Sequence, residues 1–249
     1  MGLKRFLIFV AIIFFLFLFS YFYPNFTTHT IKYEKEEAVL LRVLDGDTIE
    51  VNLSGELLKV RLLGINAPEK NMPFAEESKH FLEQFVNQPI YLQRDKDDAD
   101  KYGRKLRYIF YGNRFLNLEL LELGFANAYI FGEQAYNTEL IRAEAQARNL
   151  GLGIWQKSKH ECAASNCIIL KELNYTADFF TIQNVCNFSC QLEGWFVKDS
   201  GRNTFYLDSL KAGEAKTYPS KKDVWNENGD KFFMFDKQGF LVIYYEYKT

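Results

Sequence analysis

The sequence predicts two folded domains after an apolar N-terminus: an α+β five-stranded barrel of the OB-fold type with three helices, and an all-β sandwich. Two observations predict this arrangement, and the net charge adds a constraint on function. The 249 residues provide enough chain for two small domains. Strand and helix patterns alternate up to about residue 150, whereas only short strands recur from about Cys167. The net charge of −2 excludes a strongly basic chain, so nucleic-acid binding must be argued from particular residues.

The N-terminus predicts a membrane segment. Lys4 and Arg5 end a short cytoplasmic region, residues 1–5, and an uncharged apolar run follows over residues 6–23. At about 1.5 Å per residue, a helix over this run spans about 27 Å, close to the thickness of the bilayer's hydrocarbon core. No small-residue cleavage site follows the run, which favours an uncleaved anchor over a cleaved signal peptide. The positive-inside rule places everything after Pro24 outside the cell, and cleavage would make the protein secreted.

Three strands in a meander are predicted to begin the first domain, residues 38–157, after a polar linker over residues 24–37. The turns between them are Asp45-Gly46 and Ser54-Gly55, and Asp-Gly is typical of tight hairpins. Pro73 opens a helical stretch with apolar residues at helical spacing. Two more strands and two more helices complete a set that suits a small closed Greek-key barrel. The predicted strands are 38–43, 48–53, 57–65, 90–93 and 106–111, and the later helices are 116–123 and about 137–149.

The second domain, residues 167–249, follows a linker over residues 158–166 and consists of short aromatic strands separated by turn residues such as Asp199-Ser200-Gly201. Regular short strands without helices favour a β-sandwich. An even number of cysteines in an exported chain favours disulfides, and their spacing is loose for a zinc site. The sequence leaves the pairing open. The candidates are Cys162, Cys167, Cys186 and Cys190.

Three short clusters carry residues suited to phosphate chemistry: Asp45–Thr48, Arg61–Glu69 and Asp100–Arg104. Taken singly, each has a simpler interpretation as a turn, a strand end or a solvated loop. Taken together, Asp47 and Asn66 lie on neighbouring predicted strands, where their oxygens can converge on one hard cation. Glu69 follows the rigid Pro68 and can act as a base, while Arg61 and Arg104 offer planar forks for phosphate oxygens.

In their order and spacing, these clusters resemble the thermonuclease (staphylococcal nuclease-like) family. The resemblance covers about residues 37–157 and includes Glu144–Ala147 leading to Gly153-Ile154-Trp155. It implies an OB-fold barrel and a calcium-dependent endonuclease activity on DNA and RNA that leaves 3′-phosphate ends.

The resemblance also implies a role for each matching residue. These roles are calcium ligands (Asp47, Asn66 and the backbone carbonyl of Ala67), general base (Glu69), phosphate-stabilising arginines (Arg61 and Arg104), a phosphate-proximal lysine (Lys101) and aromatic residues near the nucleotide (Tyr102 and Tyr129). Where well-studied family members carry Asp and Thr, this chain has Asn66 and Ala67. Asn66 removes one negative charge, so weaker calcium binding or a different metal preference is expected.

The second domain resembles the lamin-tail family, whose fold is an immunoglobulin-like β-sandwich. The resemblance rests on Gly194–Asp199, Phe205, Trp225–Asp230 and Asp236–Gly239. Its tryptophans suit core positions, and its sequence has no catalytic or metal-binding cluster.

The combined expectation is a calcium-dependent endonuclease, a hydrolase of DNA and RNA, held at the outer cell surface by its N-terminal segment. No protein partner is evident from the sequence. Two alternatives from other classes stay open: a catalytically silent OB module that binds nucleic acid, and a surface interaction protein that acts through its sandwich. Glu69 together with Arg61 and Arg104 favours the enzyme.

Overall fold

The predicted membrane segment, residues 6–23, lies outside the part of the chain that the structure, a computed structural model, describes. The structure describes residues 34–220 and 224–247. Within these residues, no helix is both long enough and apolar enough to span a bilayer. The described residues belong to a single compact unit, residues 33–249.

A closed five-stranded mixed barrel forms the first part of this unit, which confirms the predicted OB-type barrel. The described residues of this part form the strands β1 (Lys35–Asp45), β2 (Thr48–Leu53), β3 (Glu56–Leu62), β4 (Ile65–Asn66), β5 (Pro89–Gln93), β6 (Lys105–Tyr111), β7 (Arg114–Phe115) and β8 (Asn127–Ala128). The barrel consists of β1, β2, β3, β5 and β6. β1 pairs antiparallel with β2 and β5, β2 pairs with β3, and β5 pairs with β6. A parallel pairing of β3 with β6 closes the barrel.

The predicted third strand ends earlier than expected, at Leu62, because Gly64 interrupts it. Gly64 has φ of +73°, a left-handed conformation that glycine adopts without a steric penalty. The chain then resumes as β4, which pairs with β8 and carries Asn66 at the end of the barrel. The break therefore places Asn66 on a short, separate strand rather than at the end of β3.

Three helices pack on the barrel: α1 (Ala75–Glu83), α2 (Leu116–Glu122) and α3 (Asn137–Leu150). A 3₁₀ turn at Gly153–Trp155 follows, and a short α4 (Glu161–Ala164) lies in the stretch predicted as a linker. α1 approaches the β1–β2 turn so closely that a Cβ on Gly46 would overlap the Cβ atoms of Ser78 and Ala67. Glycine is therefore needed at the turn that carries Asp47.

The described residues of the second part form seven antiparallel strands: β9 (Ile168–Asn174), β10 (Phe179–Asn184), β11 (Phe196–Lys198), β12 (Thr204–Tyr206), β13 (Ala215–Pro219), β14 (Asp230–Phe235) and β15 (Leu241–Tyr247). They make a three-stranded sheet ordered β13-β10-β9 and a four-stranded sheet ordered β12-β11-β14-β15. A shared core of Phe180, Ile182, Val197, Phe232 and Met234 lies between the two sheets, which therefore form a sandwich.

Two disulfides tie the start of the sandwich together. Cys162 pairs with Cys190, and Cys167 pairs with Cys186. They close loops of 28 and 19 residues, and each such crosslink typically contributes about 2–4 kcal/mol by restricting the unfolded chain.

The barrel and the sandwich share an interface with both apolar and charged contacts. Trp155 of the barrel part packs against Phe233 of β14 in a buried cluster. Beside it, Lys231 Nζ lies 2.7 Å from both carboxylate oxygens of Glu144 on α3 and donates to the carbonyl of Ala128 at 3.0 Å. Because both charged groups are buried, this ion pair is favourable only in one docked arrangement. The sandwich is thereby held next to the end of the barrel that carries β4 and β8.

Candidate active site

Asp47 is a buried acidic side chain with three polar partners at this end of the barrel. It is buried at the β1–β2 turn, and its Oδ2 accepts the backbone N–H of Ala67 at 2.9 Å. The same oxygen lies 2.9 Å from Arg61 Nη2, and Oδ1 accepts the hydroxyl of Thr48 at 3.0 Å. Asp47 is therefore held in one orientation by groups on β3, on the segment after β4, and on its own strand.

The side chain of Arg61 brings Asp47 and Asn66 together. Its Nη1 donates to the carbonyls of Leu62 and Ile65 at 2.6 and 2.8 Å, which fixes the guanidinium plane. Its Nη2 contacts Asp47 Oδ2 at 2.9 Å and donates to Asn66 Oδ1 at 3.2 Å. The two oxygens that the sequence assigns to a cation therefore converge on a single positively charged nitrogen.

Arg104 belongs to the same network through Thr48. Its Nη1 donates to Thr48 Oγ1 at 3.3 Å, and its Nε and Nη2 each lie 2.7 Å from Asp100 Oδ2. Asp100 also accepts the N–H groups of Tyr102 and Arg104, so it shapes its own loop. Burial would raise the pKa of Asp100, but the N–H groups and guanidinium of Arg104 outweigh burial and lower the pKa below its usual value. The carboxylate stays charged and holds Arg104 in place.

A cleft of about 940 Å³ opens beside these groups. From the barrel it is lined by six of the predicted residues: Arg61, Asn66, Lys101, Tyr102, Arg104 and Tyr129. Lys101 Nζ lies 5.2 Å from the centre of the Tyr102 ring, which is largely exposed. Asp47, Ala67 and Glu69 do not line the cleft itself. Asp47 contacts Arg61, which lines the cleft, and accepts the N–H of Ala67.

Glu69 lies at the edge of this arrangement and has a partner that the sequence does not suggest. Its Oε1 forms an ion pair with Nε of Arg202, with 2.9 Å between the two atoms, and both side chains are about half exposed. Arg202 comes from the loop between β11 and β12 of the sandwich and itself lines the cleft. The base predicted on the barrel is therefore oriented from the second part of the chain.

The segment Asp199–Asn203, here called the cleft loop, forms a wall of the cleft. Asp199, Gly201, Arg202 and Asn203 all line it. Asn66 Nδ2 donates to the carbonyls of Ser200 and Gly201 at 3.3 and 3.1 Å. An aspartate at position 66 could not donate these bonds, since an ionised carboxylate only accepts. The amide of Asn66 thus uses its oxygen within the barrel and its nitrogen to hold the sandwich.

Sequence reasoning missed the cleft loop because it treated Asp199-Ser200-Gly201 only as a turn between strands. The turn interpretation is correct locally, since Asn203 donates to Asp199 from its backbone at 2.9 Å and from its side chain at 2.6 Å. The contacts with Asn66 and Glu69 join residues more than 130 positions apart. No local pattern signals a pairing at that distance.

Burial perturbs two charged groups at this wall. The pKa of Lys198 is lowered by burial, although the carboxylates of Asp199, Glu69 and Asp47 oppose the shift. Burial also raises the pKa of Asp199, against the hydrogen bonds from Asn203. At the junction of barrel and sandwich, burial disfavours the charged form of each residue, and the neighbouring opposite group partly opposes that shift.

The predicted metal ligands fit a hard cation in donor type. A carboxylate oxygen, an amide oxygen and a backbone carbonyl are ligands that Ca²⁺ accepts. Asp47 and Asn66 direct their oxygens to one point, which Arg61 Nη2 contacts. Among the described residues no group of three or more His, Cys, Asp and Glu side chains is arranged to hold a metal. The predicted set contains a single carboxylate, so such a group is not required for it.

Comparison with known proteins assigns the chain to a family. Residues 59–157 match the family described as Staphylococcal nuclease homologue. An uncharacterized protein of Methanocaldococcus jannaschii is 31% identical over 170 residues, covering 57% of this chain and 82% of that protein. The thermonuclease of Staphylococcus intermedius is 31% identical over 130 residues, covering 49% and 77%. An uncharacterized endonuclease of Haemophilus influenzae is 32% identical over 123 residues, covering 49% and 67%. With its barrel, its convergent Asp47 and Arg61 and this similarity, the chain belongs to the staphylococcal nuclease-like family.

Proposed function

We propose that this protein is an endonuclease that hydrolyses phosphodiester bonds of DNA and RNA with calcium as cofactor and leaves 3′-phosphate ends. The observation that carries the proposal is the network joining Asp47, Arg61 and Arg104 through Thr48 beside a cleft of about 940 Å³. Membership of the family supports a nuclease function, as do relatives named thermonuclease and endonuclease.

The two arginines supply preorganised positive charge. The guanidinium of Arg104 is held by Asp100, and that of Arg61 is held through Nη1 by the carbonyls of Leu62 and Ile65, so both stand beside the cleft before a phosphate enters. Arg61 Nη2 would leave the oxygens of Asp47 and Asn66 when calcium binds them and would then be available to the phosphate. Fixed donors aimed at developing negative charge lower the barrier to attack on phosphorus. Arg61 and Arg104 would therefore stabilise the charge that builds on the phosphate oxygens.

Glu69 would accept a proton from the attacking water. The water oxygen would add to phosphorus, the bond from phosphorus to the 5′-oxygen would break, and the 5′-oxygen would take up a proton from solvent water, which leaves a 3′-phosphate and a 5′-hydroxyl. Asp47, Asn66 and the Ala67 carbonyl would hold the calcium ion, which when bound would add positive charge at the scissile phosphate. Lys101 and the rings of Tyr102 and Tyr129 would contact phosphate and nucleotide along the cleft, since aromatic faces stack on bases of any sequence.

The test uses the full chain, purified in detergent because of the predicted anchor. Single-stranded DNA and RNA oligonucleotides are incubated with Ca²⁺ or with a chelator, and the ends are identified by phosphatase treatment. Cleavage with Ca²⁺ only and 3′-phosphate ends are expected. Arg104→Ala should reduce turnover about a hundredfold or more. Arg114→Ala, which removes an exposed arginine paired with Glu119, is the matched control. Cleavage that survives Glu69→Gln combined with Arg104→Ala would refute the proposal.

Two further points complete the proposal. The protein would face the outside of the cell, held by residues 6–23, and protease treatment of intact cells should then degrade it. The sandwich would belong to the lamin-tail family with an immunoglobulin-like fold, which its seven strands in two sheets support.

A further inference from the structure

We propose that Arg202 of the sandwich is a positioning residue of the nuclease site, which acts by holding the carboxylate of Glu69 in its working direction. The inference rests on the proposed nuclease function and deepens it. It makes the sandwich a part of the catalytic unit, because the residue that orients the base comes from the loop between β11 and β12.

Glu69 needs such a partner. It follows Pro68 in the segment between β4 and α1, and its side chain is 43% exposed. In the part of the chain that the structure describes, the contact with Arg202 Nε is the one polar contact of its carboxylate. A glutamate without that contact would sample several rotamers in solvent. A displacement of about 1 Å in a catalytic group can reduce a rate about a hundredfold.

Arg202 is well placed to provide this orientation because the cleft loop is anchored on both of its sides. Ser200 donates its N–H and hydroxyl to Asp230 at 3.1 and 2.5 Å. Asn203 is bound to Asp199, and the carbonyl of Ser200 accepts from Asn127 Nδ2 on β8 at 3.3 Å. A loop fixed in this way gives the Arg202 backbone a defined position relative to the barrel.

The contact orients the base without blocking it. Arg202 uses Oε1 of Glu69, and within the described residues Oε2 has no hydrogen-bonding partner. One oxygen of the carboxylate can thus be held while the other accepts a proton from water. Since Arg202 lines the cleft and Glu69 does not, the ion pair joins Glu69 to a residue of the cleft wall.

The experiment compares steady-state cleavage of a single-stranded DNA oligonucleotide by the full chain and four variants: Arg202→Ala, Arg202→Lys, Glu69→Gln and Glu69→Gln with Arg202→Ala. Arg42→Ala is the matched control, because Arg42 is an exposed arginine that pairs with Glu50 on the barrel at 2.8 Å. Arg202→Ala should lower kcat about three- to tenfold, because an exposed ion pair can enrich the oriented rotamer of Glu69 only severalfold, and should change KM less than about twofold. Arg202→Lys should recover part of the loss, and Arg42→Ala should match the wild type.

The double variant separates positioning from a general effect on the fold. If Arg202 acts through Glu69, removing it from the Glu69→Gln protein should cause no further loss of kcat, because residues that act as a unit are not additive. The thermal midpoint of Arg202→Ala should equal that of Arg42→Ala within about 2 °C, since exposed ion pairs contribute little to stability.

Each other outcome overturns the inference. An unchanged kcat in Arg202→Ala, with an active wild type, removes this role and leaves the nuclease function standing. A raised KM with unchanged kcat would make Arg202 a substrate contact, and a raised kcat would make it a blocking residue. A folded wild-type protein that cleaves neither DNA nor RNA with Ca²⁺ would refute the proposed function, and this role would fall with it.

Discussion

Replacing Lys231 by methionine should weaken the docking of the sandwich on the barrel and lower the free energy of unfolding by about 3–5 kcal/mol. Lys231 is the buried cation of the interface, with both Glu144 oxygens at 2.7 Å and the Ala128 carbonyl at 3.0 Å. Methionine keeps the length and the apolar stem of the side chain. The loss is therefore electrostatic, since the variant leaves the carboxylate of Glu144 buried without its main partner.

The remaining contacts of Glu144 set the lower end of that range. Its Oε1 still accepts the N–H of Ala128 at 2.8 Å, and Arg148 Nη1 lies 3.6 Å from Oε2. For a folded unit of this size, each kcal/mol lowers the thermal midpoint by about 2–4 °C, so a decrease of about 6–12 °C is expected at a loss of 3 kcal/mol.

Urea unfolding at pH 7, followed by tryptophan fluorescence, is a suitable assay because Trp155 is fully buried at the interface, next to Phe233. Lys216→Met is the control, since Lys216 pairs with Asp208 at 2.5 Å where both side chains are exposed. Adding Glu144→Gln to Lys231→Met should restore part of the stability, because the unpaired charge is then removed. A loss below about 1 kcal/mol, equal to that of the control, would refute the reasoning that this ion pair fixes the docking.

Three further predictions concern stability and the site. Asn66→Asp should lower the thermal midpoint of unfolding without Ca²⁺, because a carboxylate cannot donate to the cleft-loop carbonyls. Added Ca²⁺ should raise the midpoint of this variant more than that of the wild type. Equal Ca²⁺-induced shifts would contradict the assignment of residue 66 as a calcium ligand. Hydrogen bonds from Lys105 and Arg107 lower the pKa of Asp98, so its contribution is complete above about pH 4 and lost as the pH falls through the lowered pKa. The midpoint difference between wild type and Asp98→Asn should therefore shrink between pH 5 and pH 2, and a constant difference would argue against the ion pairs. Gly46→Ala should destabilise the fold by about 1–3 kcal/mol in urea unfolding, because its Cβ would overlap two neighbouring side chains; a loss of a few tenths would mean that the turn shifts freely.

The barrel could be predicted from sequence because its elements have local signals. The alternation of Thr48–Leu53 and the Asp45-Gly46 turn define a hairpin within nine residues, and β2 has the bounds that the pattern indicates. The helix at Asn137–Leu150 was predicted to within one residue of its observed end, although Tyr136 rather than Asn137 or Thr138 stands at its N-cap and makes no side-chain capping hydrogen bond. In the sandwich the sequence predicts strands at 179–182, 195–197, 204–207, 232–235 and 241–244, so β9 and β13 were missed. Each has a single fully buried side chain, which weakens the hydrophobic pattern.

The site divides in the same way. Arg61, Asn66 and Arg104 could be proposed from spacing and resemblance, and the structure brings them to one cleft with Tyr129. The simultaneous contact of Arg61 Nη2 with Asp47 and Asn66 could not be predicted from the sequence, because it depends on side-chain rotamers rather than on spacing along the chain.

By itself, the sequence determined the class of the protein: a barrel of the nuclease-like type, a strand-rich second part, and six of the residues that line the cleft from the barrel. Only the tertiary structure decided that the second part enters the site, through Arg202 on Glu69 and the cleft-loop carbonyls on Asn66. The physical reason is the range of the interactions. Turn chemistry and hydrophobic periodicity act over a few residues, whereas docking of the sandwich depends on a buried ion pair and a packed cluster whose partners lie far apart in the chain.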